Sequence, residues 1–387
     1  MVADADLARA RDLARDLAPA TGSEDVPVGA AAGRTLAEDV VAARDLPAAD
    51  VSAMDGWAVR AADTPGTLLA AGESAAGAPR GAALRPGEAM AISTGALLPP
   101  GADAVARREI VAADGDAVAV GAVVAPGRDV RRAGEVIRAG GVLLPAGHRV
   151  RAHEVGAIGA VGLAVVRCAR RPRVGVLATG SELVPLGAPA GPAEVHDSSR
   201  LGVAAQLAAA GAEVVAEATV GDGLDVTVDA LAAMLDAGAD VLVTCGGISA
   251  GDHDLVRPAL TRLGFEEVVR GVRATPIRPT VIARRGARTA LGLPGNPASA
   301  AIAAHVLGRP LLGVPDGPWA RAPLAEAVAG HPERPLLLRC ALAPEGLVPR
   351  PHQGSHAVTS LAGADAIAVV PAGGARAGEA VAWTPLP

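Results

Sequence analysis

The chain has 387 residues, half of them hydrophobic by count, which is enough for two to four structural units with their own cores. Acidic residues outnumber basic ones by 41 to 35, and the net charge of -6 argues against a nucleic-acid surface, which needs clustered positive charge. Because Asp4, Asp6, Asp12 and Asp16 interrupt any signal-peptide core, we expect a cytoplasmic protein with small-molecule partners, no nucleic acid and no membrane anchor.

The first part of the chain predicts one helix followed by short strands. Apolar residues recur at three- and four-residue spacing from Leu7 to Leu17 and predict an amphipathic helix that ends before Pro19. From 51 to 137, short apolar runs broken by Gly and Pro predict a small β-rich unit. The stretch 138–171 contains AHEVGAIGAVG, which favours a short helix, followed by the strand-like LAVVRC.

From Arg173 onward, strand patterns and helix patterns alternate. RVGVLAT, AEVVAEATV and DVLVT predict strands, while SSRLGVAAQLAAAG and LDVTVDALAAMLDAG predict helices, the second with Asp225 as its N-cap. Such alternation indicates parallel strands joined by right-handed helical crossovers, which is an α/β layered domain. The short β-like runs of 321–387 predict a third, separate β unit.

Glycines and acids cluster in four loops that each follow a predicted strand. The loops are ATGSEL, TVGDG, CGGISAGDHD and GLPGNP. Ligands of an open α/β sheet bind beyond the carboxyl ends of the strands, so we expect the four loops to meet at one edge.

The composition of these loops favours a Mg-phosphate site. Mg²⁺ prefers a few carboxylates together with phosphate oxygens and water, and glycines let backbone N–H groups approach an anion. Asn296 before Pro297 predicts a helix N-terminus, which can also hold an anion. Each residue has an ordinary alternative, since Asp beside Gly is most often a solvated loop residue and Asn-Pro is most often only a cap. The acids are Glu182, Asp222, Asp252 and Asp254, and the glycines are Gly246, Gly247 and Gly251.

Eight stretches across the chain occur in the order and at the spacing of one known family. They are SAMDGWAVRAAD, STGALLPPGADAV, RRAGEVI, ATGSEL, DSSRL, TCGGISAGDHD, GLPGNPASA and HQGSH. Through them the chain resembles the molybdopterin molybdenumtransferases, the family that includes the C-terminal domain of gephyrin.

The resemblance implies a multidomain α/β plus β fold. Its parts are an elongated domain of 1–50 and 138–171, an inserted β-rich domain of 51–137, an α/β molybdopterin-binding domain of 172–316 with a mostly parallel sheet, and a C-terminal β-barrel-like domain of 321–387. It also implies an elongated homodimer.

The family reaction uses adenylylated molybdopterin and molybdate, releases AMP and inserts molybdenum at the dithiolene with the help of Mg²⁺. The molybdopterin adenylyltransferase is a further partner that this reaction suggests. A third possibility, adenylylation of molybdopterin by the α/β domain alone, would not require the domain that carries SAMDG.

By resemblance, five residues take catalytic positions, and the last three of them take the metal: Asp55, Thr94, Glu182, Asp222 and Asp254. Asp55 has the alternative of a turn residue before Gly56, and Thr94 that of closing a local turn. The substrate-binding positions implied by the resemblance are Gly180, Ser181, Gly246, Gly247, Ser249, Gly251, Arg278, Pro294, Gly295, Asn296, Arg339 and Ser355.

Two positions depart from the family pattern. TPIRP replaces a loop that usually carries two lysines, and because all 35 basic residues of this chain are Arg, Arg278 preserves one charge while Thr275 does not. Val136 stands where the family has Asp, and if the segment is a strand the neighbouring Glu135 faces the other side. The alternative function is therefore a non-catalytic, molybdopterin-binding relative or scaffold. The four acids Asp55, Glu182, Asp222 and Asp254 all remain, which favours the enzyme.

Overall fold

A computed structural model describes residues 1–78, 82–248, 254–314 and 319–386. The described residues form two compact units. The large unit combines Met1–Gly22 with Arg170–Pro387, and the small unit is Ser23–Ala169. No helix in the described ranges has both the length and the apolar character needed to cross a membrane.

The first 22 residues belong to the large unit, whereas the sequence prediction placed 1–50 with 138–171. Strand β1 (Val2–Ala5) pairs in parallel with the distant strand Glu266–Val272 and forms the edge of the central sheet. Helix α1 (Leu7–Asp16) has the predicted extent and buries Ala10 and Ala14, while the Asp6 carboxylate accepts a hydrogen bond of 2.8 Å from Arg9 N as its N-cap. Local sequence patterns could not indicate this grouping, because the strand partner of β1 lies far away in sequence.

The small unit is rich in short strands and holds one α-helix in its described part. Its elements are β2 (Ser23–Pro27), β3 (Val40–Val41), β4 (Val51–Ser52), β5 (Gly56–Val59), β6 (Gly66–Ser74), β7 (Glu88–Ile92), β8 (Ala104–Arg107), β9 (Val111–Asp114), β10 (Ala117–Val120), β11 (Val130–Arg131), β12 (Val142–Leu144), α2 (Glu154–Ala160) and β13 (Val165–Ala169). A six-stranded sheet has the order β8-β5-β7-β6-β10-β9, and three two-stranded ribbons pair β4 with β11, β3 with β12 and β2 with β13.

The large unit is built around one seven-stranded sheet. The elements that follow the small unit are β14 (Arg173–Thr179), β15 (Leu183–Val184), β16 (Val195–His196), α3 (Ser198–Ala209), β17 (Glu213–Val220), α4 (Leu224–Asp236), β18 (Val241–Cys245), α5 (Val256–Arg262), β19 (Glu266–Val272), β20 (Val281–Arg285), β21 (Arg288–Leu293), α6 (Pro297–Ala303), a π-helical turn (Ala304–Gly308) and α7 (Arg309–Leu311). The strand order is β1-β19-β20-β21-β18-β14-β17. Four of the six pairings are parallel, and β20 runs antiparallel to both neighbours.

Alternating side chains of the central strands serve two cores, as the two-residue period of a strand requires. On β18, Val241, Val243 and Cys245 pack into the core shared with α1, α3 and α6. Leu242 points the other way, into the core formed with α4 and α5. The sheet is therefore covered by helices on both faces. The N-cap of helix α4 lies two residues earlier than predicted, because Gly223 holds the N-cap position and Asp225 lies in the first turn.

The C-terminal part contributes a five-stranded antiparallel sheet with its own core. Its strands are β22 (Ala320–Pro323), β23 (Leu336–Ala343), β24 (Gly346–Pro349), β25 (Ala366–Val370) and β26 (Ala380–Pro385), in the order β22-β26-β25-β23-β24. Leu324, just beyond β22, forms a bridge with Leu347 of β24, so the sheet curls until its two edges meet. The multidomain α/β plus β fold predicted from the sequence is confirmed.

This C-terminal sheet lies in the same compact unit as the α/β part, whereas the sequence predicted a separate β unit. Thr275 N donates to the carbonyl of Pro335 at 2.9 Å, and Leu337 N donates to the carbonyl of Thr275 at 2.7 Å. Leu337 and Ile367 reach into the core of the central sheet. Backbone pairing and shared apolar burial thus tie the two parts into one unit.

Candidate functional site

A cavity of 940 Å³ opens where β14, β17, β18 and β21 end, as the loop positions predict. Loops after all four strands contribute to its wall. The predicted site residues that line it are Gly180, Glu182, Asp222, Gly246, Gly247, Asp254, Pro294, Gly295 and Asn296. The predicted residues Ser249 and Gly251, together with Asp252, lie outside the described residues.

The loops after β14 and β17 hold each other through reciprocal hydrogen bonds. Asp222 N donates to Ser181 Oγ at 3.0 Å, and Ser181 N donates to Asp222 Oδ2 at 3.2 Å. The Glu182 carboxylate folds back over Gly180, where an added Cβ would lie only 2.5 Å from its Oε2. Glycine at 180 therefore leaves room for a carboxylate that faces the cavity. Ser181 itself supports the wall and does not line it.

Both glycines after β18 are required by their surroundings. Gly246 has φ +95 and Gly247 has φ +66, a region that residues with a Cβ rarely occupy. A Cβ on Gly247 would also come within 2.8 Å of Thr179 Oγ1 and Val256 Cγ2. The turn thus lies tightly against β14 and α5, and its backbone forms part of the cavity floor.

Asn296 occupies the N-cap position of α6, but its side chain makes no capping hydrogen bond. The side chain is exposed and lines the cavity. The structure therefore supports the predicted position of the cap and leaves the amide of Asn296 facing the cavity.

Two further cavity residues were given no role from the sequence. Asp197, in DSSRL, is 2% exposed; it accepts hydrogen bonds from Arg200 Nε at 2.8 Å and Thr219 Oγ1 at 2.7 Å. Because Thr219 is the penultimate residue of β17, this buried carboxylate fixes the strand end that leads to Asp222. His356, in HQGSH, also lines the cavity. Both residues lie in stretches that resemble the family, and their presence in these stretches was the signal available in the sequence.

Arg278 does not reach the cavity, although its neighbour Pro279 lines it. The Arg278 guanidinium lies at the surface, 3.5 Å from Asp4 Oδ1, on the β1 side of the sheet. The Thr275 hydroxyl is buried and has no hydrogen-bond partner within the described ranges. The TPIRP loop therefore presents no cation to the cavity, unlike the prediction made for Arg278.

Arg339 is fully buried and so does not face the open cavity, contrary to the position implied by resemblance. Its Nη2 donates to the carbonyls of His352 and Gly354 at 3.2 Å each, while Nε and Nη1 have no partner in the described part of the chain. Burial lowers the pKa of this guanidinium. Arg339 thus holds the HQGSH loop from behind. Ser355 in that loop accepts a hydrogen bond from Ser299 N through its carbonyl, at 3.3 Å.

Asp55 and Thr94 lie together in the small unit. Thr94 N donates to Asp55 Oδ1 at 2.8 Å, and the Thr94 hydroxyl donates to the same oxygen at 3.1 Å. These bonds, the backbone one first, lower the pKa of Asp55. The carboxylate is therefore ionised at neutral pH, and its other oxygen remains available.

Glu135 and Val136 are not neighbours in a strand, so the two side chains do not alternate between the faces of a sheet. Glu135 lies in a turn rather than a strand, and its carboxylate accepts a hydrogen bond from Arg132 N at 2.7 Å. This local bond engages one of the two carboxylate oxygens. Val136, next to it, is exposed.

The predicted metal residues share one cavity without forming a preassembled cluster. Across the described ranges, no three His, Cys, Asp or Glu side chains lie close enough to hold an ion by themselves. Glu182, Asp222 and Asp254 nevertheless all line the cavity. Mg²⁺ commonly takes one or two carboxylates and completes its shell with water and substrate phosphates. This donor set fits a magnesium ion that arrives with its substrate.

The fold and this cavity define an α/β ligand-binding protein whose site lies at the carboxyl edge of the sheet. Three domain families match the chain: "MoeA N-terminal region (domain I and II)" over residues 5–162, "Probable molybdopterin binding domain" over 175–313, and "MoeA C-terminal region (domain IV)" over 321–386.

Similar proteins agree with these domain matches. Molybdopterin molybdenumtransferase 2 of Mycobacterium tuberculosis is 35% identical over 75% of this chain and 76% of its own length. The Nostoc molybdopterin molybdenumtransferase is 33% identical over 72% of this chain and 66% of its own length. The crystal structure of a molybdopterin biosynthesis MoeA protein from Pyrococcus horikosii has a TM-score of 0.82 at 30% identity, covering 99% of both chains. The chain belongs to the MoeA family of molybdopterin molybdenumtransferases.

Proposed function

We propose that this protein inserts molybdenum from molybdate into adenylylated molybdopterin, with Mg²⁺, and releases AMP to leave molybdenum cofactor. The observation that carries the proposal is the composition of the cavity. Glycine-rich turns at Gly246 and Gly295 and the carboxylates of Glu182, Asp222 and Asp254 face one space of 940 Å³. A substrate that joins a pterin phosphate to AMP needs both kinds of group, since backbone N–H groups bind phosphate oxygens and carboxylates bind the accompanying metal.

Each part of the cavity has a task in this reaction. The backbone of Gly247 and Gly295 approaches the phosphate oxygens, since Gly180 N and Gly246 N already donate to the carbonyls of Val220 and Leu293, and the Asn296 amide adds a hydrogen-bond donor. Glu182, Asp222 and Asp254 would hold Mg²⁺, which when bound neutralises charge that develops on the phosphoanhydride. The hydrogen bonds between Ser181 and Asp222 fix the relative position of two of these carboxylate loops. Catalysis then rests on groups that are already in place before the substrate arrives.

In this proposal, Asp55 of the small unit orients the nucleophile, which is either molybdate or water. Its lowered pKa keeps it anionic, and Thr94 fixes its orientation through two hydrogen bonds. We further propose that the protein works in the cytoplasm as a homodimer and receives its substrate from the molybdopterin adenylyltransferase.

The alternative of a non-catalytic relative or scaffold is less well supported. TPIRP gives the cavity no cation, and Val136 lacks a carboxylate. Loss of function would relax all the acidic positions together, yet the carboxylates of Glu182, Asp222 and Asp254 are all directed to the same cavity. The enzyme is therefore the better hypothesis.

The test is AMP release from adenylylated molybdopterin by the purified full-length protein. Release should require both molybdate and Mg²⁺. Glu182→Gln keeps the shape of the side chain and removes its charge, and we expect kcat to fall by at least about a hundredfold, as when a preorganised charge-stabilising group is lost. Asp55→Ala should abolish release while the protein stays folded by circular dichroism.

The matched control is Glu213→Gln. Glu213 begins β17 at the opposite edge of the sheet and is exposed, so this change should leave AMP release within about twofold of wild type. Substrate binding without any release by the wild-type protein would contradict the proposal and favour the non-catalytic relative.

A further inference from the structure

The HQGSH loop brings an imidazole into the cavity and is held there at some energetic cost. His356 lines the cavity, and Ser355, before it in sequence, is tied to the start of α6 by the Ser299 N hydrogen bond. Behind the loop, the buried Arg339 guanidinium donates to the carbonyls of His352 and Gly354 without any carboxylate partner in the described residues. Burying a cation that lacks a counter-ion is expensive, so the position of this loop is closely specified.

Gly354 leaves room for the imidazole ring of His356. A Cβ on Gly354 would lie 2.9 Å from His356 Cε1 and 3.3 Å from Nδ1, so the imidazole packs directly over the glycine. The other cavity imidazole, His196, is already engaged, since its Nε2 lies 2.9 Å from the carbonyl of Ala188. The His356 side chain has no hydrogen-bond partner among the described residues, and the residue lines the cavity, so its ring nitrogens are available to a ligand.

The reaction proposed above requires the transfer of protons from sulfur to oxygen. Molybdate and a dithiol give a trioxomolybdenum dithiolene and one water: two Mo–S bonds form, one Mo–O bond breaks, and the oxidation state of molybdenum does not change. The two thiol protons must leave sulfur and reach the departing oxygen. Imidazole can accept a proton at one nitrogen and release one from the other, so a single side chain can carry protons between sulfur and oxygen.

We propose that His356 is a further catalytic residue that relays protons from the dithiol sulfurs to the departing molybdate oxygen. The inference rests on the proposed function and adds to it a named proton carrier. Other charged groups that face the same cavity are Glu182, Asp197, Asp222 and Asp254, with His196 as the second imidazole and Arg339 behind the loop. Asp197 is occupied by Arg200 and Thr219, and His196 by the carbonyl of Ala188, so His356 is the imidazole of the described cavity lining whose ring is not engaged.

The experiment measures molybdenum incorporation and AMP release in parallel, from pH 5 to pH 9, for the full-length protein. His356→Gln retains a hydrogen-bonding side chain without titration, and we expect the incorporation rate to fall about a hundredfold. In this variant the change of the rate between pH 5 and pH 8 should disappear. Added imidazole should restore part of the rate to His356→Ala, which a merely structural role for the side chain would not allow.

Gly354→Ala displaces the ring without deleting it. Gly354 does not have a positive φ, so the added methyl group should slow incorporation at least about tenfold with little change in thermal stability. His153→Gln, at an exposed position of the small unit just before α2, is the matched control and should keep the wild-type rate and pH profile. If His356→Gln keeps the wild-type rate and pH profile, the relay is overturned while the proposed function stands. If the wild-type protein itself neither incorporates molybdenum nor releases AMP, both proposals fall.

Discussion

The Glu154 carboxylate in the small unit shows how a single side chain can make stability depend on pH. It accepts hydrogen bonds from Arg151 Nε and Arg151 N at 2.8 Å each, and its Oε2 lies 2.7 Å from His148 Nε2. The Arg151 bonds, with His148 contributing less, lower the pKa of Glu154 to about 2. A group whose pKa is lowered by folding stabilises the protein above its unfolded pKa, and this stabilisation is lost as the pH falls toward the folded value.

Glu154→Gln should therefore destabilise the small unit at pH 7, and the difference from wild type should shrink as the pH falls from about 4.5 toward about 2. Urea denaturation followed at pH 7, 4.5 and 3 measures this difference. Glu109→Gln, at an exposed position in the same unit, is the control. A difference that stays constant over this pH range would show that Glu154 acts through packing alone.

At the scale of loops and helices, the glycines of the chain divide into those that structure requires and those that it merely tolerates. Gly247 combines a positive φ with close neighbours on two sides. Gly202, inside α3, has nothing within 4 Å of the position that a Cβ would take. The same substitution should therefore have opposite effects at the two positions.

Gly247→Ala should lower the free energy of unfolding by about 1 kcal/mol or more and weaken phosphate binding, because the turn must move away from Thr179 and Val256. Gly202→Ala should raise it by about 0.5 to 1 kcal/mol through helix propensity. Thermal unfolding of both variants provides the measurement. Destabilisation by Gly202→Ala would show that α3 is less open at that position than the structure indicates.

The same scale shows what the sequence could predict. The alternating strands and helices from Arg173, and the four loops of the cavity, follow from local periodicity and from the rule for parallel sheets. The antiparallel pairing of β20 with β19 and β21 was not predicted, because antiparallel pairing inside such a sheet leaves no separate local signal in the sequence. The burial of Arg339 was equally unpredictable, since arginine is rarely found fully buried and the contacts that hold it come from another loop.

For the molecule as a whole, the first strand and helix complete the large unit. Strand β1 covers the edge of β19, and α1 contributes Ala10 and Ala14 to the main core. Arg11 of α1 also lies over the ring of Trp319, with its guanidinium carbon 4.4 Å from the ring centroid. The N-terminal residues therefore stabilise elements that follow the small unit in sequence.

Deletion of residues 1–16 should destabilise the large unit by several kcal/mol, by the loss of buried apolar area. The small unit, Ser23–Ala169, should be unaffected. Hydrogen exchange read peptide by peptide should show lost protection in β19 and α7 and unchanged protection in β5 to β8. Asp6→Ala, which removes only the N-cap of α1, should cost about 1 kcal/mol and serves as a graded comparison. Equal loss of protection in both units would contradict this division.

The joint between the TPIRP loop and the C-terminal sheet is made by the main chain of Thr275, through its N–H and its carbonyl. Every residue except proline carries these two groups, so the joint does not depend on which side chain stands there. A neutral side chain can therefore stand at this position while the backbone joint persists, and the charge carried by the TPIRP loop can change without loss of that joint.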